Sequence, residues 1–169
     1  MSYKVQDNVL SKEHLSLLQK TIIWNKQFPF YLIDEVSHGG DKSNGFYAVH
    51  LLYSTDVPVK VEYISQSSWC HIVQPILDIL KPSSLIRIKA NFYPRTDSLL
   101  ENDPHEDYDF DHKGAIFYLN SCDGFTRMSD GTKIDSIENR LLHFNPSDPH
   151  NSSTCTNQLG RFNINFNYF

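Results

Sequence analysis

The chemistry of this chain starts from His105-Glu106-Asp107. On an extended segment, residues two apart point to the same side, so this imidazole and this carboxylate can approach one metal ion together. The pattern is weakly specific by itself. With 8 His and 20 acidic residues in 169, about one His-x-acid match arises by chance. The competing reading is an ordinary polar loop, and the run 103–111 is acidic enough for one.

A distal His could close such a site. His150 follows Asp148-Pro149 and precedes the last apolar segment, far enough from Asp107 for three candidate strands between. Two His and one carboxylate on one side of a metal form a facial triad with open positions, which suits non-haem Fe(II). Other members stay open on residue type alone. His143, between Leu142 and Phe144, reads equally as a core or rim histidine, His112 lies nearer in sequence, and Asp109 or Asp111 could replace Asp107. His14, His38, His50 and His71 fit surface or packing duties.

Arg161 opens the last apolar segment. Its guanidinium is always charged and presents a fork of donors that matches a carboxylate. Beneath a metal it would anchor the far carboxylate of a dicarboxylic co-substrate; alone, it would read as a surface arginine. Asn91 and Tyr93 share one strand face, opposite Ile86, Ile88, Ala90 and Phe92. They could bond the carboxylates of a keto acid, or form the polar rim of a strand end.

Certain elements must position these groups. Ser11 can cap a helix running to about Asn25, with Leu15, Leu18, Ile22 and Ile23 as its apolar stripe. The spacing of Trp69, Ile72, Val73, Ile76, Leu77 and Leu80 predicts a second helix over Ser67–Leu80, ended by Lys81-Pro82. Strands are expected at Phe30–Asp34, Gly45–Leu52 and Val59–Ile64. After Pro82 they follow at Leu85–Tyr93, Lys113–Asn120, Thr132–Ile137, Arg140–Asn145 and Arg161–Tyr168. Asp123-Gly124, Asp130-Gly131, Asn145-Pro146 and Asp148-Pro149 mark the turns. This pattern points to a sandwich, jelly roll or barrel, with the helices covering one outer face. In the last strand Arg161, Asn163, Asn165 and Asn167 oppose Phe162, Ile164, Phe166 and Tyr168. The polar row either faces solvent or lines a cavity. The polar segments Ser37–Asn44 and Asp97–Pro104 are candidate lids.

Size and composition bound the rest. A chain of 169 residues has the length of one domain, 1–169, with helical support mainly in 1–82 and a β core mainly in 83–169. The formal charge of −5 and pI near 5.8 argue against nucleic-acid binding by bulk charge, although Arg87, Lys89 and Arg95 could form a local patch. No apolar run is long enough for a membrane span. The first residues have no apolar leader region, and Cys70, Cys122 and Cys155 are odd in number and far apart, so a cytoplasmic setting with reduced thiols is expected.

The order Asn-x-Tyr, His-x-Asp, distal His, then Arg in the last strand resembles the 2-oxoglutarate- and Fe(II)-dependent dioxygenases. Gly114–Asn120 with Asp123-Gly124, the run 139–144 leading to Pro149-His150, and the ending 161–166 are similar to the prolyl-4-hydroxylase-like branch, in its small marine bacterial or phage type. The resemblance covers roughly 85–169. It implies a mainly β (α+β) fold, a double-stranded β-helix (jelly roll, cupin-like) with supporting N-terminal helices. It implies His105, Asp107 and His150 as iron ligands, Arg161 as partner of the distal 2-oxoglutarate carboxylate, and Tyr93 and Asn91 as helpers. Fe(II), 2-oxoglutarate and O2 are then the cofactors and co-substrates, with ascorbate a candidate reductant. The implied reaction hydroxylates an unactivated C–H bond and releases succinate and CO2. A prolyl residue of a peptide or protein is the family-level substrate, and a free amino acid or other small metabolite the alternative. The collagen-type enzymes use Lys where Arg161 stands, so the chain leans to the Arg-using groups. The rival classes are a non-catalytic jelly-roll module that binds metal or another ligand, and a zinc hydrolase.

Overall fold

The structure is a computed structural model that describes residues 3–33, 46–55 and 65–169. The strand expected at Val59–Ile64, the segment Ser37–Asn44 and His38 lie outside the described residues.

The chain runs β1 (Lys4–Asp7), α1 (Lys12–Ile22), β2 (Tyr31–Ile33), β3 (Tyr47–Ser54), β4 (Ser65–Gln66), a 3-10 turn (Cys70–Val73), α2 (Gln74–Leu80) and β5 (Leu85–Pro94). It continues with β6 (Lys113–Tyr118), β7 (Phe125–Met128), β8 (Lys133–Asp135), β9 (Arg140–Phe144), β10 (His150–Ser152) and β11 (Gly160–Tyr168). Eight strands form one sheet in the order β1-β9-β6-β11-β5-β3-β2, with β4 on β3; β10-β7-β8 form a second. All the strand pairs are antiparallel. This is a jelly roll, one of the architectures the strand spacing left open and the one the family resemblance implies. Among the described residues no helix is long and apolar enough to cross a membrane.

Ser11 caps α1 as expected, its hydroxyl accepting from the His14 N–H at 3.3 Å. The second helix differs from expectation: its first part is a separate 3-10 turn, and α2 starts only at Gln74. Pro75 is the reason. Its nitrogen has no hydrogen to bond the carbonyl one turn back, whereas the first turn of a new helix tolerates it.

The alternation of each strand divides the molecule into two interiors. On the outer face of the large sheet, Ile88, Ala90, Phe117, Leu119, Ile164 and Phe166 pack against Leu18, Ile22, Val73 and Ile76 of the helical layer. A smaller apolar cluster, Ile116, Tyr118, Met128, Ile134, Leu142 and Phe144, fills part of the space between the sheets. The rest of that space is polar. β11 is buried along its whole length, so the row Arg161, Asn163, Asn165 and Asn167 lines the inside rather than facing solvent.

The polar loop Asp97–Pro104, expected as a candidate lid, is instead laced to the end of β10 and the residues that follow it. Asn102 N–H donates to the Ser152 carbonyl at 2.9 Å and Thr154 N–H to the Leu100 carbonyl at 2.9 Å. Isolated bridges join Glu101 to Ser153 and His105 to His150.

Candidate metal centre and anion pocket

The backbone brings the two histidines together first. His105 N–H donates to the His150 carbonyl at 2.9 Å, and His150 N–H returns the bond at 3.0 Å. Directly opposed residues of an antiparallel pair project to the same side, and the two rings lie 4.8 Å apart between centroids. Two residues on, Asp107 faces the same way, and its N–H is fixed on the Pro146 carbonyl at 2.9 Å. One nitrogen from each His and one carboxylate oxygen of Asp107 lie within 4.8 Å of one another.

Hydrogen bonds set the state of these groups. The Asp148 carbonyl, 3.0 Å from His150 Nδ1, can only accept, so Nδ1 carries the proton and Nε2 keeps its lone pair for a metal. Asp107 Oδ1 accepts from Arg87 Nη2 at 2.7 Å and Oδ2 from Asn165 Nδ2 at 3.2 Å. Burial acts to raise the Asp107 carboxyl, but Arg87, then His150 and Lys89, hold it well below the usual carboxylate range. Burial pushes His105 down to about 4, helped by His150 and opposed by Asp107, so its ring is neutral at pH 7. A neutral His105 ring and an ionised Asp107 carboxylate are protonation states that suit a divalent metal.

The same cavity continues to Arg161, which is fully buried. Its Nη2 donates to Thr126 Oγ1 at 2.7 Å and its Nη1 to the Ser153 carbonyl at 3.4 Å. The Tyr93 and Tyr118 rings lie 5.3 and 5.6 Å from its Cζ. Among the described residues no carboxylate lies within 4 Å of it, and Nε has no partner. A buried guanidinium without a counter-charge is costly, and a carboxylate guest would relieve that cost. Gly124 makes room for it: a Cβ there would lie 2.8 Å from Arg161 Cδ and 2.5 Å from the Thr154 carbonyl oxygen.

Tyr93 lines this pocket, stacked on Tyr47 with centroids 5.5 Å apart, and burial raises its hydroxyl pKa. Asn91 also lines it. Its Nδ2 donates to Asn163 Oδ1 at 2.9 Å, while its own Oδ1 is buried without a partner.

The other candidates lie away from the triad. His143 is on the opposite face of β9 from Leu142 and Phe144 and bonds Gln6 Oε1 at 2.9 Å. Both ring nitrogens of His112 are engaged, by the Phe110 carbonyl and by Asn167 Oδ1, each at 2.8 Å. Asp109 and Asp111 are exposed. His50 packs on the helical side, bonded to the Pro29 carbonyl and the Ser67 hydroxyl, each at 2.7 Å.

Sequence reasoning missed Arg87, Lys89 and Thr126 as site residues, and named Asn165 only as part of the polar row that could line a cavity. The local basic patch that Arg87, Lys89 and Arg95 could form does not exist. Arg95 is exposed, Arg87 holds Asp107, and Lys89 lines the cavity. The signal was present, because strand alternation places Arg87 and Lys89 on the face of Asn91 and Tyr93. Thr126 had no signal, since only the packing of the second sheet brings it to Arg161.

No protein-family model and no curated protein matches the chain. Solved structures do. A prolyl-4-hydroxylase of Pseudomonas putida is 13% identical with a TM-score of 0.62, over 98% of this chain and 91% of that one. A prolyl hydroxylase of Trichoplax adhaerens, in complex with a hypoxia-inducible factor peptide fragment, is 16% identical with a TM-score of 0.67, over 99% and 83%. The epimerase SnoN, in complex with Fe3+, alpha-ketoglutarate and nogalamycin RO, is 8% identical with a TM-score of 0.65, over 99% and 78%. At these identities the likeness establishes a shared fold: this chain has the jelly roll of the 2-oxoglutarate–Fe(II) oxygenases, prolyl hydroxylases included.

Proposed function

We propose that the chain is a non-haem Fe(II)- and 2-oxoglutarate-dependent dioxygenase. It hydroxylates an unactivated C–H bond, with a prolyl residue of a peptide or protein as the family-level target. The observation that carries this reading is the fully buried Arg161, without a carboxylate partner among the described residues, in one cavity with His105, Asp107 and His150. Metal-assisted hydrolysis consumes only water and substrate, so it does not require a second, buried anchor for a dicarboxylic co-substrate. The fold neighbours support the reading, since they include enzymes that bind iron and alpha-ketoglutarate. The three cysteines are free thiols, in keeping with a reducing cytoplasmic setting.

In this reading His105, Asp107 and His150 would hold the metal. The metal with 2-oxoglutarate and O2 supplies oxidative C–H chemistry, with succinate and CO2 as co-products. The chain's own groups orient and shield it. Arg87 and Asn165 keep Asp107 ionised and aimed. The Asp148 carbonyl fixes the His150 tautomer. Arg161 receives the distal carboxylate of 2-oxoglutarate. Thr126 Oγ1 already accepts from Arg161 and from the Tyr118 hydroxyl at 2.9 Å, so its own proton is left to donate to that carboxylate. Tyr93 and Asn91 close the walls.

The test has two stages. Fe(II) and 2-oxoglutarate, added anaerobically, should give a visible charge-transfer band. Admitting O2 should then release succinate slowly even without a primary substrate. Absence of both signals overturns the oxygenase reading.

A further inference from the structure

Counted over the described residues, the cavity holds one cation more than this chemistry uses. Lys89 lies on the inward face of β5, opposite Asn165 in register, and lines the cavity beside the triad. Its Nζ sits over the Tyr47 ring, 5.6 Å from the centroid. Among the described residues no carboxylate lies within 4 Å of it. Among the described residues that line the cavity the single carboxylate, Asp107, is already taken by Arg87 at 2.7 Å.

Charge accounting makes this informative. Arg87, Lys89 and Arg161 contribute three positive charges and Asp107 one negative. The proposed Fe(II) and the 2-oxoglutarate dianion cancel each other, so the filled site still carries an excess of cation. Uncompensated buried charge is costly. Burial, with Arg87 beside it, already pushes the Lys89 ammonium down to about 8. Arg161 stands farther along the same cavity: it pairs in register with Tyr93, four residues or about 13 Å of backbone along β5 from Lys89. With the charges of 2-oxoglutarate matched by the proposed Fe(II), Lys89 still has no anion of its own among the described residues.

We propose that Lys89 receives a carboxylate of the primary substrate, so that the site selects a substrate carrying a free carboxylate close to the oxidised C–H bond. This rests on the oxygenase reading above. The carboxylate can come from a free amino acid or from an acidic residue of a peptide. In either case a peptide segment without charge is a poor substrate.

The experiment compares matched probes: free L-amino acids against their primary amides, and N-acetylated, C-amidated Pro-Glu peptides against their Pro-Gln counterparts. Stimulated succinate release is measured for each, together with calorimetric binding to the anaerobic protein loaded with Fe(II) and 2-oxoglutarate. The acid member of one pair set should win by about tenfold or more, as a charge-assisted hydrogen bond implies. Which set responds identifies the source. Lys89→Met should collapse that ratio toward one, and Lys89→Arg should keep it. Parity of acid and amide in both pair sets, or a preference that survives Lys89→Met, overturns the assignment. So does a Lys89→Met protein whose only change is a raised 2-oxoglutarate requirement. Loss of substrate-independent succinate release in the unaltered protein is a separate result, which sinks the oxygenase reading itself.

Discussion

The two faces of β11 are buried alike and built from opposite materials. Phe162, Ile164, Phe166 and Tyr168 enter the apolar layer under the helices, whereas Arg161, Asn163, Asn165 and Asn167 enter the space between the sheets. Apolar burial stabilises at about 25 cal/mol per Å2. A buried amide or guanidinium contributes little net and costs about 1–3 kcal/mol where it lacks a partner. The inner row therefore holds itself together by mutual bonds. Asn91 donates to Asn163, Asn165 to Asp107, and Asn167 to Asn165 at 2.8 Å. One strand thus separates two duties: the outer face supplies stability, and the inner face spends some of it on a polar, cationic cavity.

The largest expected effects come from crossing the two faces. Asp107→Ala should abolish Fe(II)-dependent succinate release while leaving the cooperative thermal transition in place. Ile164→Ala, at a fully buried outer position, should lower stability by about 2–5 kcal/mol and leave turnover per folded molecule intact at low temperature. Succinate release and thermal melts of the two variants check this together. Retained turnover in Asp107→Ala removes that residue from the proposed ligand set. A loss of turnover in folded Ile164→Ala breaks the division of duties.

A smaller effect sharpens the inner side. Arg161→Ala should raise the 2-oxoglutarate concentration needed for half-maximal turnover by about 10- to 100-fold, the worth of a charge-assisted pair of about 1.5–3 kcal/mol. Removal of a buried cation that lacks a counter-charge should not destabilise the ligand-free protein as a core truncation does. A melting temperature that falls as far as in Ile164→Ala would make Arg161 a structural residue.

The outer face was the more legible in the sequence, because apolar period reports burial directly. Leu18, Ile22, Ile76 and the Phe162–Tyr168 row were readable from spacing alone. The inner face was legible through chemistry where a motif existed, as with His105, Asp107, His150 and Arg161. It was illegible where a strand is polar and short. β10 reads His-Asn-Ser and is wholly buried, yet carries no apolar signal, because what it faces is the cavity. β1 was missed as a short edge strand, held in part by the Asp7–Arg140 ion pair at 2.6 Å. β7 was lost between turn signals, and Thr126 with it. The likeness of Arg87 and Lys89 to a basic surface patch was misleading, because charge in a sequence does not state which side of a sheet it occupies.

Acid separates the faces most finely, since each buries a histidine whose pKa is lowered. Burial is the leading cause for both. On the inner face His105 reaches about 4, with His150 adding repulsion. On the outer face the Pro29 carbonyl offsets part of the fall at His50. A folded-state pKa below the ordinary 6.5 means that the unfolded chain binds the proton more readily. The stability each ring contributes is therefore complete above about pH 6.5 and is lost as pH falls toward the folded value. For His105 that window runs from about 6.5 down to about 4. In the chelator-treated protein, His105→Gln should flatten the drop in melting temperature between pH 7 and pH 5 more than His50→Gln does. His50 protonation forfeits one further bond, the Ser67 hydroxyl donating to Nε2 at 2.7 Å. An equal or larger flattening by His50→Gln would place the acid-sensitive element in the helical layer, and the inner cavity would lose its standing as the less stable half of the molecule.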